Sequence, residues 1–510
     1  RNNGGNRRFY TQVSVNYDRT FGKHSVSGLL LANRTDYSNA FAGNFTDAIP
    51  FRNEGLAGRA TYSYDDRYLI TGTVRRDGYS AFGASNPYAT FPSVSVAWNF
   101  TNEDWFNWDA MTTGKLRLSW GKNGNRSLAD PYVSLANLGS GTGATMGYID
   151  SSGEIVDVKY LGIDRMANPN LRWEKTTSTN IGLDYGFFNE RLYGSIDVYN
   201  MITNDMIMSQ RLPSFSGFGS ITTNLGEVQN RGFEMSINSV NIKNKDFEWR
   251  TNFVLSYNEN QINELYGDME DILDAEGNVI GRKEADDISN GWFIGQPISA
   301  IWNYEVTGIW QKDEWEEAAK YGQRPGDPKV ANHYTEDDAE DGTPVYNDND
   351  KVFLGQTAPP VNWSLRNTFS YKNWELAINM YSYMGHKSLN GNYMNNFNSG
   401  SLYTYNYNPF VNPYWTLDNP TNDWARLDAI APAGASAGKL YNRNFIRLDH
   451  ISAAYTLPQE LTQKWNIQRV KFSASVRNVA TWAADWKYFG DPETGGLATR
   501  MFNVGLNLTL

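Results

Sequence analysis

The chain has 510 residues, 14% of them aromatic and 20% charged, with 45 Gly, 18 Pro, no Cys and a formal net charge of −11. So many rings exclude a chain that stays disordered for want of apolar side chains. The absence of Cys excludes disulfides, thiolate metal centres and thiol nucleophiles, and a sequence pI of about 5.1 without a basic stripe argues against nucleic acid as a partner. No run approaches the roughly 18 consecutive apolar residues of a membrane-spanning helix, whereas a mean hydropathy of −0.56 is compatible with strands that are apolar on one face only.

In chain order, alternation with a period of two predicts strands near 9–19, 23–33, 54–65, 68–77, 91–100, 114–122, 176–187, 191–205, 230–242, 247–258, 361–372, 374–384, 444–457, 469–479 and 500–510. Ile181, Leu183, Tyr185 and Phe187 alternate with Asn180, Gly182, Asp184 and Gly186, and Trp374, Leu376, Ile378 and Met380 alternate with Glu375, Ala377, Asn379 and Tyr381. Near Asp449 and His450 the apolar parity moves from Ile446 and Leu448 to Ile451 and Ala453, which predicts a bulge. Short links such as Asp65-Asp66-Arg67 and Lys372-Asn373 alternate with long ones near 34–53, 78–90, 123–175, 206–229, 259–360, 385–443 and 480–499. Short turns on one side and long loops on the other are the pattern of an all-β, antiparallel transmembrane β-barrel in the outer membrane, whose short turns face the periplasm. Trp98, Trp105, Trp108, Trp120, Trp249, Trp363, Trp374 and Trp465 fall at strand ends or turns, as an interfacial aromatic belt requires.

Bacterial single-chain barrels have an even strand count. The about 15 strands expected over residues 1–510 are therefore the C-terminal part of a barrel, with long extracellular loops near 123–175, 259–360 and 385–443. About seven preceding strands would complete a ~22-stranded plugged barrel.

Asn168-Pro169-Asn170-Leu171-Arg172-Trp173-Glu174 and Asn224-Leu225-Gly226-Glu227-Val228-Gln229-Asn230-Arg231-Gly232-Phe233-Glu234 resemble segments of the SusC-like TonB-dependent transporters of the outer membrane. So do Phe445-Ile446-Arg447-Leu448 through Ala454-Tyr455-Thr456-Leu457-Pro458, and Arg477-Asn478 ahead of Gly490-Asp491-Pro492-Glu493. The resemblance covers the barrel, and the plug domain has no counterpart in this sequence. It implies TonB-dependent import of a bulky nutrient, an oligosaccharide in the first instance, with a SusD-like surface lipoprotein as lid. Contact with the TonB complex would run through the N-terminal part. Peptide or metal-chelate uptake by the same barrel, and a surface-binding barrel that transports nothing, are the rival readings.

No catalytic constellation is present: His24, His333, His386 and His450 lack metal-ligand spacing, and Gly139-Ser140-Gly141-Thr142-Gly143-Ala144 has no strand–turn–helix context. A transporter rather than an enzyme is expected. Trp302, Tyr304 and Trp310, then Tyr403, Tyr405, Tyr407 and Trp415, then Trp482, are candidates for substrate or lid contact, because flat rings offer apolar faces to sugar C–H groups and favour protein interfaces. Asp337, Asp341, Asp348 and Asp350, downstream of Pro325-Gly326-Asp327, form an oxygen-rich loop with a glycine bend at Gly342, a candidate calcium site. Ala339 stands there in place of an oxygen ligand.

Overall fold

The computed structural model describes residues 5–40, 50–125, 133–139, 145–149, 151–159, 162–212, 214–274, 277–390, 413–427, 429–486 and 490–509. Among them fifteen strands form one antiparallel sheet in chain order: β1 (Gly5–Phe21), β2 (His24–Ala40), β3 (Pro50–Tyr64), β4 (Tyr68–Tyr79), β5 (Tyr88–Asn99), β6 (Met111–Asn125), β7 (Glu174–Phe187), β8 (Leu192–Asn204), β9 (Glu227–Lys243), β10 (Phe247–Glu264), β11 (Val361–Tyr371), β12 (Trp374–Met384), β13 (Phe445–Thr456), β14 (Arg469–Trp482) and β15 (Met501–Thr509). β1 and β15 are its edges, each bonded on one side only. No helix among the described residues is long and apolar enough to cross a membrane.

The chain divides into two compact units, Arg1–Glu234 with Glu259–Asp287 and Phe293–Gln296, and Met235–Asn258 with Ile288–Trp292 and Pro297–Leu510. In the first, the register aligns Val26, Tyr62, Ile70, Val96, Leu118, Ile181 and Val198 in one row across seven strands. Ile70, Leu118 and Val198 are 47%, 51% and 55% exposed. Large apolar side chains exposed in an unbroken row are stable where the surrounding solvent is lipid. The next row toward the short turns is His24, Tyr64, Tyr68 and Trp98, an aromatic belt. The opposite face is polar, with Arg117 bridging Asp184 at 2.8 Å and Asp197 at 3.0 Å. Short turns need left-handed backbone, supplied by Gly22 (φ +59°) and by Asp65 and Asp66 (φ +52° and +51°), residue types that tolerate it. Lys23 ties its turn to the next through Asp65 at 2.8 Å.

The first unit's water-side core is Tyr79, Ala81, Phe82, Phe91, Leu171 and Trp173. Gly83 donates to the Leu171 carbonyl at 3.0 Å, and a Cβ on it would stand 1.9 Å from the Pro169 carbonyl oxygen. Only glycine permits this approach.

In the second unit the pairs Phe253↔Leu365, Leu255↔Trp363, Phe369↔Leu376 and Leu376↔Ala453 share one face. Arg250, Arg366 and Glu375 take the other. The predicted bulge is present: β13 slips register between Leu448 and His450, against both neighbouring strands. Several strands outrun their predicted limits, β10 by six residues, since hydrogen-bonded ladders continue past the band where apolar alternation marks them. Two of the short-side links, Phe100–Asn102 and Gln459–Trp465, carry helical turns rather than bare hairpins.

Candidate functional site

The long links of the second unit fold into cores of their own. Ala300–Asn303 pairs with Val352–Gln356 and Val306–Ile309 with Pro328–Val330, and residues from 413–427 and 429–443 pack against them. Tyr304, Val330, Tyr346 and Ala437 form one apolar cluster, and Ile309, Trp415, Ala425 and Ala429 another. Asp327 holds these segments together. Fully buried, it accepts from the amides of Arg324 (3.0 Å) and Ile430 (3.1 Å) and from the Arg426 guanidinium (2.8 Å). Three donors on one buried carboxylate satisfy oxygens that would otherwise stand unbonded away from water. Gly326 before it, at φ +94°, lies under the Trp415 ring, where a Cβ would come within 2.6 Å.

The structure separates the aromatic candidates. Tyr304 and Trp310 are buried, the former donating to the Gly434 carbonyl at 3.2 Å and the latter to the Gln323 side chain at 2.9 Å. Trp415 is buried and donates to Gln311 at 3.0 Å. These three rings pack their own loops. Trp302 is half-buried, with the Lys351 ammonium 4.6 Å from its ring centre. Trp482, 54% exposed at the end of β14, pairs with Ile446 and so shares the apolar face of the sheet. Tyr403, Tyr405 and Tyr407 lie outside the described residues.

The acidic loop is organised by amides. Asp350, buried, accepts from the backbone of His333, Tyr334 and Asn347, each at 3.0 Å. Asp337 accepts from the Asn347 side chain at 2.6 Å, Asp341 from the Thr343 amide at 3.0 Å, and Asp348 from Lys351 at 2.7 Å. The Thr343 contacts hold the Asp341 carboxyl below the usual range. Among the described residues no group of three or more His, Asp or Glu is brought together as a metal would need.

Two sequence motifs meet at Arg447. Its guanidinium, almost fully buried, bonds Asp491 and reaches Glu493 at 3.5 Å and Asn478 at 3.3 Å. Burial alone would raise the Asp491 carboxyl; Arg447 and the amides of Glu493 and Thr494 outweigh it and hold it low. Tyr381 donates to Glu493 at 2.6 Å, and Arg443 donates to the carbonyls of Pro492 and Glu493. His386 is 4% exposed and its Nδ1 has no hydrogen-bond partner. Burial, then the Arg443 charge, push its pKa down to about 4.

In the first unit Asn224 clasps two links. It accepts from the Arg172 amide and donates to the Arg172 carbonyl, both at 2.7 Å, and also donates to the Asp205 carbonyl at 2.9 Å. None of these clasps carries a spacing that marks it in sequence, although Arg447, Asp491, Asn224 and Asp327 all stand in segments singled out there.

The side of the sheet away from the apolar face is rich in amides: Asn252 donates to Asn238 at 2.8 Å and Asn260 to Asn230 at 3.0 Å. Amides donate and accept without net charge, which suits a hydroxylated solute.

Residues 1–479 match the family model of the TonB-dependent receptor-like β-barrel. The chain is 30% identical over 493 residues to TonB-dependent receptor P3 of Formosa agariphila, covering 92% of this chain and 47% of that protein. It is 28% identical over 428 residues to TonB-dependent receptor SusC of Bacteroides thetaiotaomicron, covering 81% and 38%. A solved structure of the RagAB peptide transporter superposes with a TM-score of 0.74 at 22% identity, covering 99% of this chain and 56% of that one, a likeness of fold. The chain thus spans about half the length, or less, of the curated relatives it matches.

Proposed function

The chain belongs to the TonB-dependent receptor-like β-barrel family, and from that premise we propose that it is the C-terminal wall of a plugged importer for a neutral oligosaccharide. The family is one of outer-membrane barrels, and SusC is among this chain's curated relatives. In our reading the apolar face meets lipid, the amide-rich face lines the path, and the long loops, held by Asp327 and by the Arg447–Asp491 pair, form the mouth on which a SusD-like lipoprotein closes. Transport energy enters through TonB and a plug belonging to the rest of the protein. The wall does no chemistry on its cargo; it supplies hydrogen bonds and ring faces along the path.

The observation that carries the substrate class is the pairing of uncharged amides, Asn238 with Asn252 and Asn230 with Asn260, on the face opposite the lipid. Neutral donors and acceptors match hydroxyls, and these amide pairs supply them on a face that also carries Arg250, Arg366 and Glu375. Calorimetry on the full-length protein with panels of neutral oligosaccharides and of short peptides tests it. Saturable binding of an oligosaccharide, weakened by N238A together with N252A, is expected. Binding confined to the peptides would overturn the substrate class, and failure of any surface lipoprotein to co-purify would overturn the lid.

A further inference from the structure

A groove on the apolar face of β1–β5 has a construction that the transport reading does not use. Its floor is Val13, Ala32 and Leu56, and its rim holds Arg34, Glu54, Arg76 and Tyr88. The register settles the side: Val13 pairs Ala32 and Ala32 pairs Leu56, continuing the exposed apolar rows of the wall, while Leu56 pairs Arg76 and Arg34 pairs Glu54 on that same face. Arg76 thus stands beside Leu56 at the end of the floor's own row, and Arg34 and Glu54 stand in the next row away from the short turns, on the side turned to lipid. Their height is telling. Arg34 is ten residues up β2 from His24 in the aromatic belt; at about 3.3 Å per residue and a strand tilt of 35–45°, that is roughly 25 Å, the height of the apolar band of such a barrel. The rim therefore lies at the headgroup level of the outer leaflet.

We propose that this groove binds an anionic, phosphate-bearing lipid of the outer leaflet, with an acyl chain over Val13, Ala32 and Leu56 and the phosphate on Arg34 and Arg76. The proposal rests on the outer-membrane placement of the family. The charge balance on this face favours an anion: Arg34, Arg52 and Arg76 face Asp36 and Glu54, with Asp36 shared by Arg34 at 3.0 Å and Arg52 at 2.6 Å. Arg76 has no carboxylate partner among the described residues. It lies 4.9 Å from the centre of the Tyr88 ring, and Tyr88 in turn donates to Glu54 at 2.5 Å. Guanidinium groups match phosphate oxygens with paired N–H donors, and Glu54 is left to accept from a hydroxyl or ammonium of the same headgroup.

The test is native mass spectrometry of the full-length protein in detergent, challenged with an outer-membrane glycolipid in its phosphorylated and its enzymatically dephosphorylated form. Expected is selective retention of the phosphorylated form, reduced about tenfold in R34A/R76A and unchanged in R59A, whose arginine sits on the opposite face of β3. Heat-modifiable gel mobility confirms that each variant is folded; should R34A/R76A not fold, L56W, which fills the floor but keeps both guanidinium groups, takes its place with the same expected loss. Equal retention of the two lipid forms, or wild-type retention by the folded groove variants, would overturn the proposal.

Discussion

The wall of the first unit and the loop cores of the second use the same residue types in opposite ways. In the wall, Ile70, Leu118 and Ile181 stand exposed in rows; in the loops, Ile309, Trp310 and Trp424 are buried almost completely, and charges such as Asp327 are buried with them. Two solvents explain the difference. Against lipid an exposed Leu costs nothing while an unbonded backbone amide costs several kcal/mol, so stability resides in the ladder. Against water the apolar side chains must be covered, and irregular backbone needs buried carboxylates and amide side chains to satisfy it. The wall is held by its backbone and the loops by their side chains.

Substitutions can break that contrast at several strengths. The largest effect belongs in the loops: Trp310→Ala removes a buried indole and its bond to Gln323, and should cost about 3–5 kcal/mol of local stability, seen as protease cleavage between residues 297 and 360 while heat-modifiable mobility of the barrel persists. Unfolding of the entire barrel by this change would mean that loops and wall are one cooperative body. In the wall, Leu118→Lys should cost about 2–4 kcal/mol in a folding titration into bilayers, against little for Ser119→Lys on the polar face; equal costs would erase the distinction between the faces.

Acid offers a sharper probe of the second unit. His386 is held near a pKa of about 4 in the fold against an ordinary histidine value of 6.5, so the unfolded form takes up a proton first. Its contribution is fully present above about pH 6.5 and is lost as pH falls toward 4, by up to roughly 3 kcal/mol of local opening. Hydrogen exchange at residues 385–390 and 439–443 should accelerate over that window, and His386→Phe should flatten the profile. The smallest effect is expected at Trp302→Ala, a loss of about threefold to tenfold in oligosaccharide affinity, in line with ring contributions of about 0.5–1.5 kcal/mol, with barrel mobility unchanged. Wild-type affinity there would confine the ring to its contact with Lys351.

The sequence-based reading follows the same division. Strand positions were legible because a lipid-facing strand writes its environment into every second residue, and even the bulge at Asp449 showed as a change of parity. The turns were legible in Gly22 and Asp65-Asp66, whose residue types announce positive φ. The loop cores were not: their apolar residues follow no period, so Trp310 reads in sequence like Trp302 although one is buried and the other half-open. The Arg447–Asp491 pair and the Asn224 clasp join residues dozens of positions apart, and Asp350 has the composition of a cation ligand while its oxygens serve three amides.

The Asn224 clasp also bears on how such a protein can vary. Because one amide side chain closes the neck between Asp205 and Asn224 and fastens it to Arg172, residues beyond the neck bear no part of the wall's register. Lengthening them adds only closure entropy, about 0.6 kcal/mol for each doubling. Insertions at the tip of this link, beyond the Ile207–Arg211 and Ser220–Asn224 ladder, are thus nearly neutral for assembly. The mouth can acquire a new outline by changing loop length alone, generation after generation, over a frame that stays the same.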